Sequence, residues 1–165
     1  MKTLILIRHA KSDWSNPSLK DFDRPLNKRG LRDAPKMGKL LKKKNLLPDK
    51  VYVSTAVRTI DTLRLIGIEL ELSFEDIVRE EKIYEADVST LLTIIEGFSD
   101  QDQCIYLIGH NPGMTYLTNY LTGELVDNVP TCGVVKIDFE IENWEMVSKG
   151  LGKLKNHYFP KELDF

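Results

Sequence analysis

The chain has 165 residues, of which 42% are hydrophobic and 29% charged, and its formal net charge is −2. This length suits one domain with a sizeable core, so we predict a single domain over residues 1–165. A net charge near zero argues against nucleic acid as a partner, because nucleic-acid-binding domains usually carry a strongly basic field. Two cysteines in a chain of this length do not make a disulfide scaffold, which favours a reducing cytoplasm.

Short apolar runs predict the strands, in chain order. The segment TLILIR at 3–8 is almost continuously apolar, which is typical of a strand buried on both faces. DKVYVST at 49–55 predicts a second strand, and CIYLIGH at 104–110, which is again apolar almost to its end, predicts a third. None approaches the roughly 20 apolar residues that a bilayer span needs. The first strand begins within three residues of Met1, which leaves no room for a signal peptide. We therefore expect a cytoplasmic protein without a membrane partner.

Capping residues and apolar periodicity predict the helices between these strands. Asn27 is placed to cap a helix that continues to residue 46, with a kink or break near Pro35. A second helix is expected from about residue 56 to 66, and a third over VSTLLTIIEGF at 88–98. A fourth follows the third strand, with Asn111 placed to cap it and a proline in its first turn.

Residues 133–141 and 144–150 are expected to form a terminal antiparallel strand pair, joined by a turn at 142–143. Strands that alternate with helices indicate an α/β fold, here a three-layer α/β/α sandwich with a mostly parallel central sheet. Ligands of such sheets bind outside the carboxyl ends of the strands. That rule selects the residues that follow each strand as candidates for function.

Basic and imidazole side chains stand at these strand ends. Arg8 and His9 end the first strand, and His110 ends the third. A lone histidine is more often structural, but two of the three histidines occupy equivalent positions, while His157 is expected in a C-terminal loop without a chemical role. Arg58 falls in the first turn of a helix, where the helix dipole disfavours a cation unless an anion lies nearby.

The alternative for Arg58 is a surface ion pair with Asp61, although Arg64 fits that pairing better. Arg8, Arg58 and the helix start after Asn111 together predict an anion site, because guanidinium forks and helix N-termini both suit phosphate. Neutral imidazole is a nucleophile at pH 7, so the predicted chemistry is transfer of phosphate to His9 followed by hydrolysis. A hydrogen bond from its other nitrogen to a backbone carbonyl would fix the tautomer.

Glu85, within KIYEAD at 82–87, is the candidate general acid for protonating the leaving group. Other phosphate chemistries lack their motifs. No arginine follows either cysteine at the spacing of a cysteine-phosphatase loop, and no Walker lysine is present. The DFD at 21–23 has the composition of an aspartyl-phosphate nucleophile but lies in a polar loop. No His, Cys and carboxylate spacing supports a metal site.

The segments LIRHAKS, STAVRTIDT and LIGHNPG resemble the histidine phosphatase superfamily. RHAKSDW, followed by DFDRPLNKRG and then GHNPG, is similar to the small bacterial phosphohistidine phosphatases of the SixA type, over residues 3 to about 135. The resemblance implies a phosphorylated His9, a phosphate pocket of Arg8, Arg58 and His110, and no metal or other cofactor. It also implies a general acid at Glu85, although some phosphohistidine phosphatases lack one.

Departures from the mutases of this superfamily favour an open site. Lys11 stands where mutases commonly have Glu or Gln, Ser15 follows the motif tryptophan where they have Asn, and the long insertions that close over substrate are missing. The main hypothesis is a phosphatase acting on phosphohistidine in a signalling protein, such as a histidine-containing phosphotransfer protein. A small-molecule phosphomonoesterase is the alternative, and a non-catalytic phosphate-binding module is a third hypothesis.

Overall fold

A computed structural model describes all residues, 1–165, and contains one six-stranded sheet with helices on both faces. The strands are β1 (Lys2–Arg8), β2 (Lys50–Val53), β3 (Ile77–Arg79), β4 (Cys104–Gly109), β5 (Val134–Phe139) and β6 (Lys153–Tyr158). The helices are α1 (Lys28–Lys43), α2 (Val57–Leu70), α3 (Val88–Glu96) and α4 (Gly113–Thr122). None of these helices combines the length and hydropathy that a membrane span requires.

The strand order is β3-β2-β4-β1-β5-β6. Strands β3, β2, β4 and β1 form the parallel part of the sheet. Strand β5 is antiparallel to β1, and β6 is antiparallel to β5. The predicted three-layer sandwich with a mostly parallel sheet is therefore confirmed. Parallel strands turn their carboxyl ends to one edge, and the ends of β1, β4 and β2 lie side by side there.

The core has two parts, one on each face of the sheet. Alternate residues of β1 enter different parts, since Leu4 and Leu6 pack with α3 and α4 while Ile5 and Ile7 pack with α1 and α2. All four are fully buried. This burial on both faces explains why the first strand reads as a continuous apolar run, and it makes β1 a rigid support for the residues that follow it.

Helix α1 begins as predicted, with the side chain of Asn27 accepting a hydrogen bond from the Gly30 amide. It is not broken at Pro35, which lies inside a continuous helix. A proline costs roughly 3 kcal/mol in a helix interior, but packing can outweigh that cost. At Gly38 a Cβ atom would lie 2.9 Å from the Cβ of Glu69, so the helix packs very closely on α2.

The predicted terminal strand pair is half wrong. Strand β5 forms, but WEMVSKG does not pair with it, because Trp144 is fully buried and donates from its indole nitrogen to the Asp102 carbonyl at 2.9 Å. The partner of β5 is β6, an exposed and largely polar edge strand with no apolar pattern to reveal it. His157 accordingly lies in β6 rather than in a loop, 2.8 Å from a carboxylate oxygen of Glu162.

Candidate active site

The parallel register brings the strand ends together at one edge of the sheet. Arg8 of β1 is paired with Gly109 of β4, and Val53 of β2 is paired with Ile108. The residues that follow, including His9 and His110, therefore face the same cleft, and the two imidazole rings are 5.3 Å apart between centroids. The sequence-based expectation that the two histidines meet is confirmed as geometry.

The backbone around His9 is held on both sides. Its amide donates to the Gly109 carbonyl at 3.0 Å, and its carbonyl accepts from the Cys132 amide at 2.9 Å. Its Nδ1 lies 2.7 Å from the Ala10 carbonyl, which can only accept, so Nδ1 carries the proton. The other ring nitrogen, Nε2, therefore presents a lone pair toward the cleft.

Burial and nearby positive charges keep this nitrogen unprotonated. Burial lowers the pKa of His9 to about 4, and the positive charges of Arg58 and Arg8 act in the same direction, against the hydrogen bond to Ala10. Nε2 accepts a hydrogen bond from Nε of Arg58 at 3.3 Å. The imidazole is thus neutral at pH 7, and its unprotonated Nε2 contacts the guanidinium group of Arg58.

The two arginines converge on His9 from different elements. Arg58 lies in the first turn of α2 and is 7% exposed. It does not pair with Asp61, which instead lies 3.9 Å from Arg64, as the alternative assignment suggested. Arg8 donates to the Val129 carbonyl at 3.1 Å, while its buried Nε has no partner. Burial and the nearby charge of Arg58 lower the pKa of Arg8.

His110 is oriented by Ser54, a residue that the sequence-based reasoning did not single out for a role. The Ser54 hydroxyl accepts from the Ala56 amide at 3.3 Å and lies 2.8 Å from Nε2 of His110. We assign the serine proton to this second contact, which leaves the ring proton on Nδ1. That nitrogen is buried without a partner. Burial, then the neighbouring His9 and Arg58, lower the pKa of His110 to about 3.

Asp21 supplies the carboxylate of the site. It belongs to the DFD segment, yet it is an ion partner: its carboxylate and carbonyl accept from Arg58 at 3.0 and 2.7 Å, and it also pairs with Arg24. The Tyr84 hydroxyl donates to it at 2.6 Å. Burial opposes the shift, but the hydrogen bonds from Tyr84 and Arg58 hold the pKa of Asp21 below its usual value. The carboxylate is therefore ionised at pH 7.

Two aromatic residues lie near Asp21: Tyr84 contacts it directly, and Trp14 contacts its partner Arg24. The Tyr84 ring meets the His110 ring edge-on, with 5.3 Å between centroids. Burial and the hydrogen bond to Asp21 raise the pKa of Tyr84 to about 12, so its hydroxyl keeps its proton. The guanidinium of Arg24 stacks on the exposed Trp14 ring. A tyrosine beside a candidate glutamate carried no sequence signal, which is why Tyr84 was missed.

Glu85 lies at the rim and not in the buried part of the site. It is exposed, has a left-handed backbone with φ of 55°, and lines a cleft of about 570 Å³ together with His110 and Asn111. The structure thus brings Glu85 to a cleft that His110 also lines. It forms no ion pair there.

Asn111 serves the loop next to it. Its side-chain amide donates to Asn128 and to the Val129 carbonyl, both at 2.9 Å, and its oxygen accepts from the amide and hydroxyl of Thr115. The helix starts at Gly113, one residue later than a cap at Asn111 predicts. Every polar atom of the Asn111 side chain is already bonded within the protein, and its role as a phosphate ligand stays a prediction.

Amides in the first turn of α4 are also already hydrogen-bonded within the protein. The amide of Met114 donates to the His110 carbonyl at 2.9 Å, and that of Tyr116 donates to Pro112 at 3.0 Å. The first turn therefore offers fewer free donors to an anion than the sequence suggested. No group of three or more His, Cys, Asp or Glu side chains is arranged to hold a metal ion. The positive charge at the candidate site comes from Arg8 and Arg58.

Comparisons with known proteins agree with this geometry. Residues 4–92 match the family model described as the histidine phosphatase superfamily, branch 1. An uncharacterised chloroplastic protein of Arabidopsis thaliana is 33% identical over 152 residues, which cover 87% of this chain and 69% of the relative. A structure from Agrobacterium tumefaciens assigned to phosphohistidine phosphatase SixA has a TM-score of 0.83 and 28% identity, and covers 96% of this chain and 98% of its own.

A further structure, the protein histidine phosphatase SixA complexed with tungstate, has a TM-score of 0.85 at 21% identity and covers 98% of this chain and 99% of its own. At that identity the likeness shows the fold. The family model spans more than half of this chain and includes Arg8, His9 and Arg58. The chain therefore belongs to branch 1 of the histidine phosphatase superfamily, and it is a phosphatase.

Proposed function

We propose that this phosphatase works through phosphorylation of His9 and that its substrate is phosphohistidine in a signalling protein. The observation that carries the proposal is the state of the His9 ring. Its Nδ1 proton is bonded to the Ala10 carbonyl, and its Nε2 lone pair lies 3.3 Å from Nε of Arg58. A phosphoryl group bonded to Nε2 would lie directly against this guanidinium group.

In the first step Nε2 of His9 forms a bond to phosphorus while the bond between phosphorus and the leaving nitrogen breaks. Arg58 and Arg8 neutralise the charge on the equatorial oxygens, and Nδ1–H of His110 donates to one of them. The unpartnered Nε of Arg8 and Nδ1 of His110 support these roles, because both are buried donors without an acceptor. Positioned donors of this kind are each worth about 10²–10³ in rate.

In the second step a water molecule attacks phosphorus, the bond to Nε2 breaks, and inorganic phosphate leaves. The His9 ring regains its lone pair, and the proton of the water is released to phosphate or solvent. The Ala10 carbonyl keeps its hydrogen bond to Nδ1 throughout, so the same tautomer is ready for the next cycle. No proton has to be taken from His9 at any point.

The charge state of Asp21 favours a phosphohistidine substrate. A carboxylate that is held ionised by Arg58 and Tyr84 cannot donate a proton to a leaving group. An alkyl ester needs that proton, because it would otherwise expel an alkoxide. A substrate imidazole that is protonated on its other nitrogen leaves as a neutral ring and needs no acid from the enzyme. The likeness to structures of the SixA type supports the same substrate class.

The test is release of inorganic phosphate from a histidine-containing phosphotransfer domain that is phosphorylated on its histidine. The wild-type enzyme should release phosphate with multiple turnovers, and His9→Ala should release none. His157→Ala is the matched control, since His157 lies in β6 and pairs with Glu162. No release by stoichiometric wild-type enzyme would refute the phosphohistidine proposal.

A small-molecule phosphomonoesterase is the second candidate, because Glu85 lines the cleft beside His110 and could protonate an ester oxygen. In a panel of phosphate monoesters, Glu85→Gln should then lose ester turnover while phosphohistidine turnover stays within about twofold of wild type. If no ester is turned over appreciably, this candidate fails. An acid-labile phosphate on His9 would exclude a purely binding role for the site.

A further inference from the structure

The surface beside the candidate site is strongly basic, although the protein as a whole is acidic. Residues 28–44, which contain α1, hold eight lysines and arginines but a single carboxylate, Asp33. Of the 23 basic and 25 acidic residues in the chain, 15 and 24 therefore lie elsewhere. Residues 28–44 thus have a formal charge of +7, and the rest of the chain has a formal charge of −9. The helix dipole favours cations only in the last turn of a helix, so it does not account for the lysines and arginines along the rest of α1.

Five of these cations form one row on α1. Arg29, Arg32, Lys36, Lys39 and Lys43 are spaced alternately by three and four residues, which places them on a single face of the helix. The row, which we call the basic stripe, is about 21 Å long. Only Arg32 has a carboxylate partner, the buried Asp33 at 3.2 Å. Most of the positive charge of the stripe is therefore not neutralised within the chain.

The basic stripe begins next to the candidate site. Arg29 donates to the hydroxyl of Thr131 at 3.1 Å, and the neighbouring Cys132 amide donates to the carbonyls of Arg8 and His9. On the other side, a Cβ at Gly30 would lie 2.3 Å from the Lys11 carbonyl, so α1 abuts the loop that follows His9. A groove of about 430 Å³, lined by Arg29, Arg32, Lys36 and Lys161, runs along this end of the stripe.

We propose that the basic stripe docks an acidic face of the protein that carries the phosphohistidine. This inference rests on the proposed function and names a further property of its substrate. A protein whose phosphorylated side chain enters the cleft must cover the surface around it, and carboxylates over the stripe would complement its charge. Complementary charge of this kind raises association rates by 10-fold to 1000-fold at low salt.

Two features of α1 favour a protein over other polyanions. Its apolar face, with Ala34, Met37 and Leu41, is buried in the core, so the helix cannot insert into a membrane surface. No aromatic side chain of the helix interleaves with the stripe to stack on bases, as single-stranded nucleic acid would require. Anionic vesicles and RNA are therefore alternatives for the experiment to test.

The test uses three synthetic peptides with a central phosphohistidine, flanked by glutamates, glutamines or lysines. Wild-type enzyme should have a kcat/KM about tenfold higher for the glutamate-flanked peptide than for the glutamine-flanked one, and the preference should shrink as salt is added. Lys36→Glu with Lys39→Glu should abolish or reverse this preference. Turnover of free phosphohistidine should not change, because neither lysine touches the candidate site.

The matched control is Lys149→Glu with Lys155→Glu, which changes the net charge equally. Both lysines are exposed, and neither forms an ion pair. Lys155 lies in the edge strand β6 and lines a groove together with Met1, which immediately precedes β1. This control should keep the preference for glutamate flanks. Equal turnover of all three peptides by wild type would overturn the inference while leaving the proposed function standing. Failure to hydrolyse any of them, or free phosphohistidine, would instead count against the proposed function.

Two binding measurements address the other occupants. Vesicles with 30% phosphatidylserine, or a 20-nucleotide RNA, should not bind detectably to wild type at physiological salt. Binding of either one that is lost in the Lys36 and Lys39 variant, without any flank preference on peptides, would reassign the stripe. A thermal unfolding midpoint close to that of wild type would show that the variant is folded.

Discussion

The buried and the exposed parts of the candidate site differ in how firmly the fold holds them. His9, Arg58 and His110 are 7, 7 and 8% exposed, and each is fixed by at least one hydrogen bond. At the rim, the Asp21 side chain is 45% exposed, and Glu85 is exposed as well. From this difference we propose that the chemistry depends on the buried group and that the rim selects what enters the site.

The largest expected effect comes from the buried group. Arg58→Lys keeps the positive charge but loses the fork that contacts both His9 and Asp21. We expect kcat/KM for phosphohistidine to fall about 10²–10³-fold. Arg64→Lys, on the exposed side of the same helix, is the control and should stay within about twofold of wild type. A similar small effect for both would contradict the division between buried group and rim.

The second prediction concerns pH. Folding lowers the pKa of His9 to about 4 and that of His110 to about 3, so both rings should stay neutral from pH 7.5 down to about 5. Imidazole NMR signals, assigned with His9→Gln and His110→Gln, should show no titration over that range. Titration midpoints above pH 6 for both rings would contradict the burial that defines this group.

The same shifts affect stability. Since the unfolded histidines titrate near 6.5, the unfolded state binds more protons than the folded state between about pH 4 and 6.5. The free energy of unfolding should therefore rise with pH through this window and reach its full value above it. Urea unfolding at several pH values measures this rise, and His9→Gln should make it shallower.

The third prediction concerns the contact between α1 and the loop that follows His9. In Gly30→Ala the new Cβ would meet the Lys11 carbonyl at 2.3 Å, so α1 must move away from the loop after His9. We expect a loss of about 1–3 kcal/mol in the free energy of unfolding. Gly67→Ala is the matched control inside α2, where the nearest atom lies 3.6 Å away, and it should stabilise by up to about 1 kcal/mol. Equal effects in urea unfolding would rule out the close contact.

The smallest effect is expected at the rim. Asp21→Asn removes the charge that competes with phosphate for Arg58, so the inhibition constant of inorganic phosphate should fall about 3–10-fold. Asp23→Asn, in the same short turn but without an ion pair, should leave it unchanged. An unchanged constant in both variants would show that Asp21 does not share Arg58 with the phosphate group.

The sequence predicted the structure best where neighbouring residues along the chain share the same buried environment. Apolar runs predicted β1 and β4, a shorter apolar stretch predicted β2, and the rule for parallel sheets then led to Arg8, His9 and His110. Asp21 and Tyr84 were missed because their roles depend on contacts with Arg58, 37 residues from Asp21 in the chain. The contacts of Asn111 with Asn128 and Val129 were not predicted, because they depend on a loop that is distant in the chain. β6 was missed because a polar edge strand has no apolar pattern.

The main-chain hydrogen bonds of His9 have a consequence for how the enzyme responds to heat. Its amide and carbonyl are bonded within a strand extension that lies between β4 and the segment before β5, in the interior of the sheet. Such amides exchange with solvent only when most of the structure opens. Folding itself thus sets the orientation of His9, the proposed nucleophile, so the reaction needs no further ordering of its main chain. On heating, activity and tertiary structure should disappear at the same temperature.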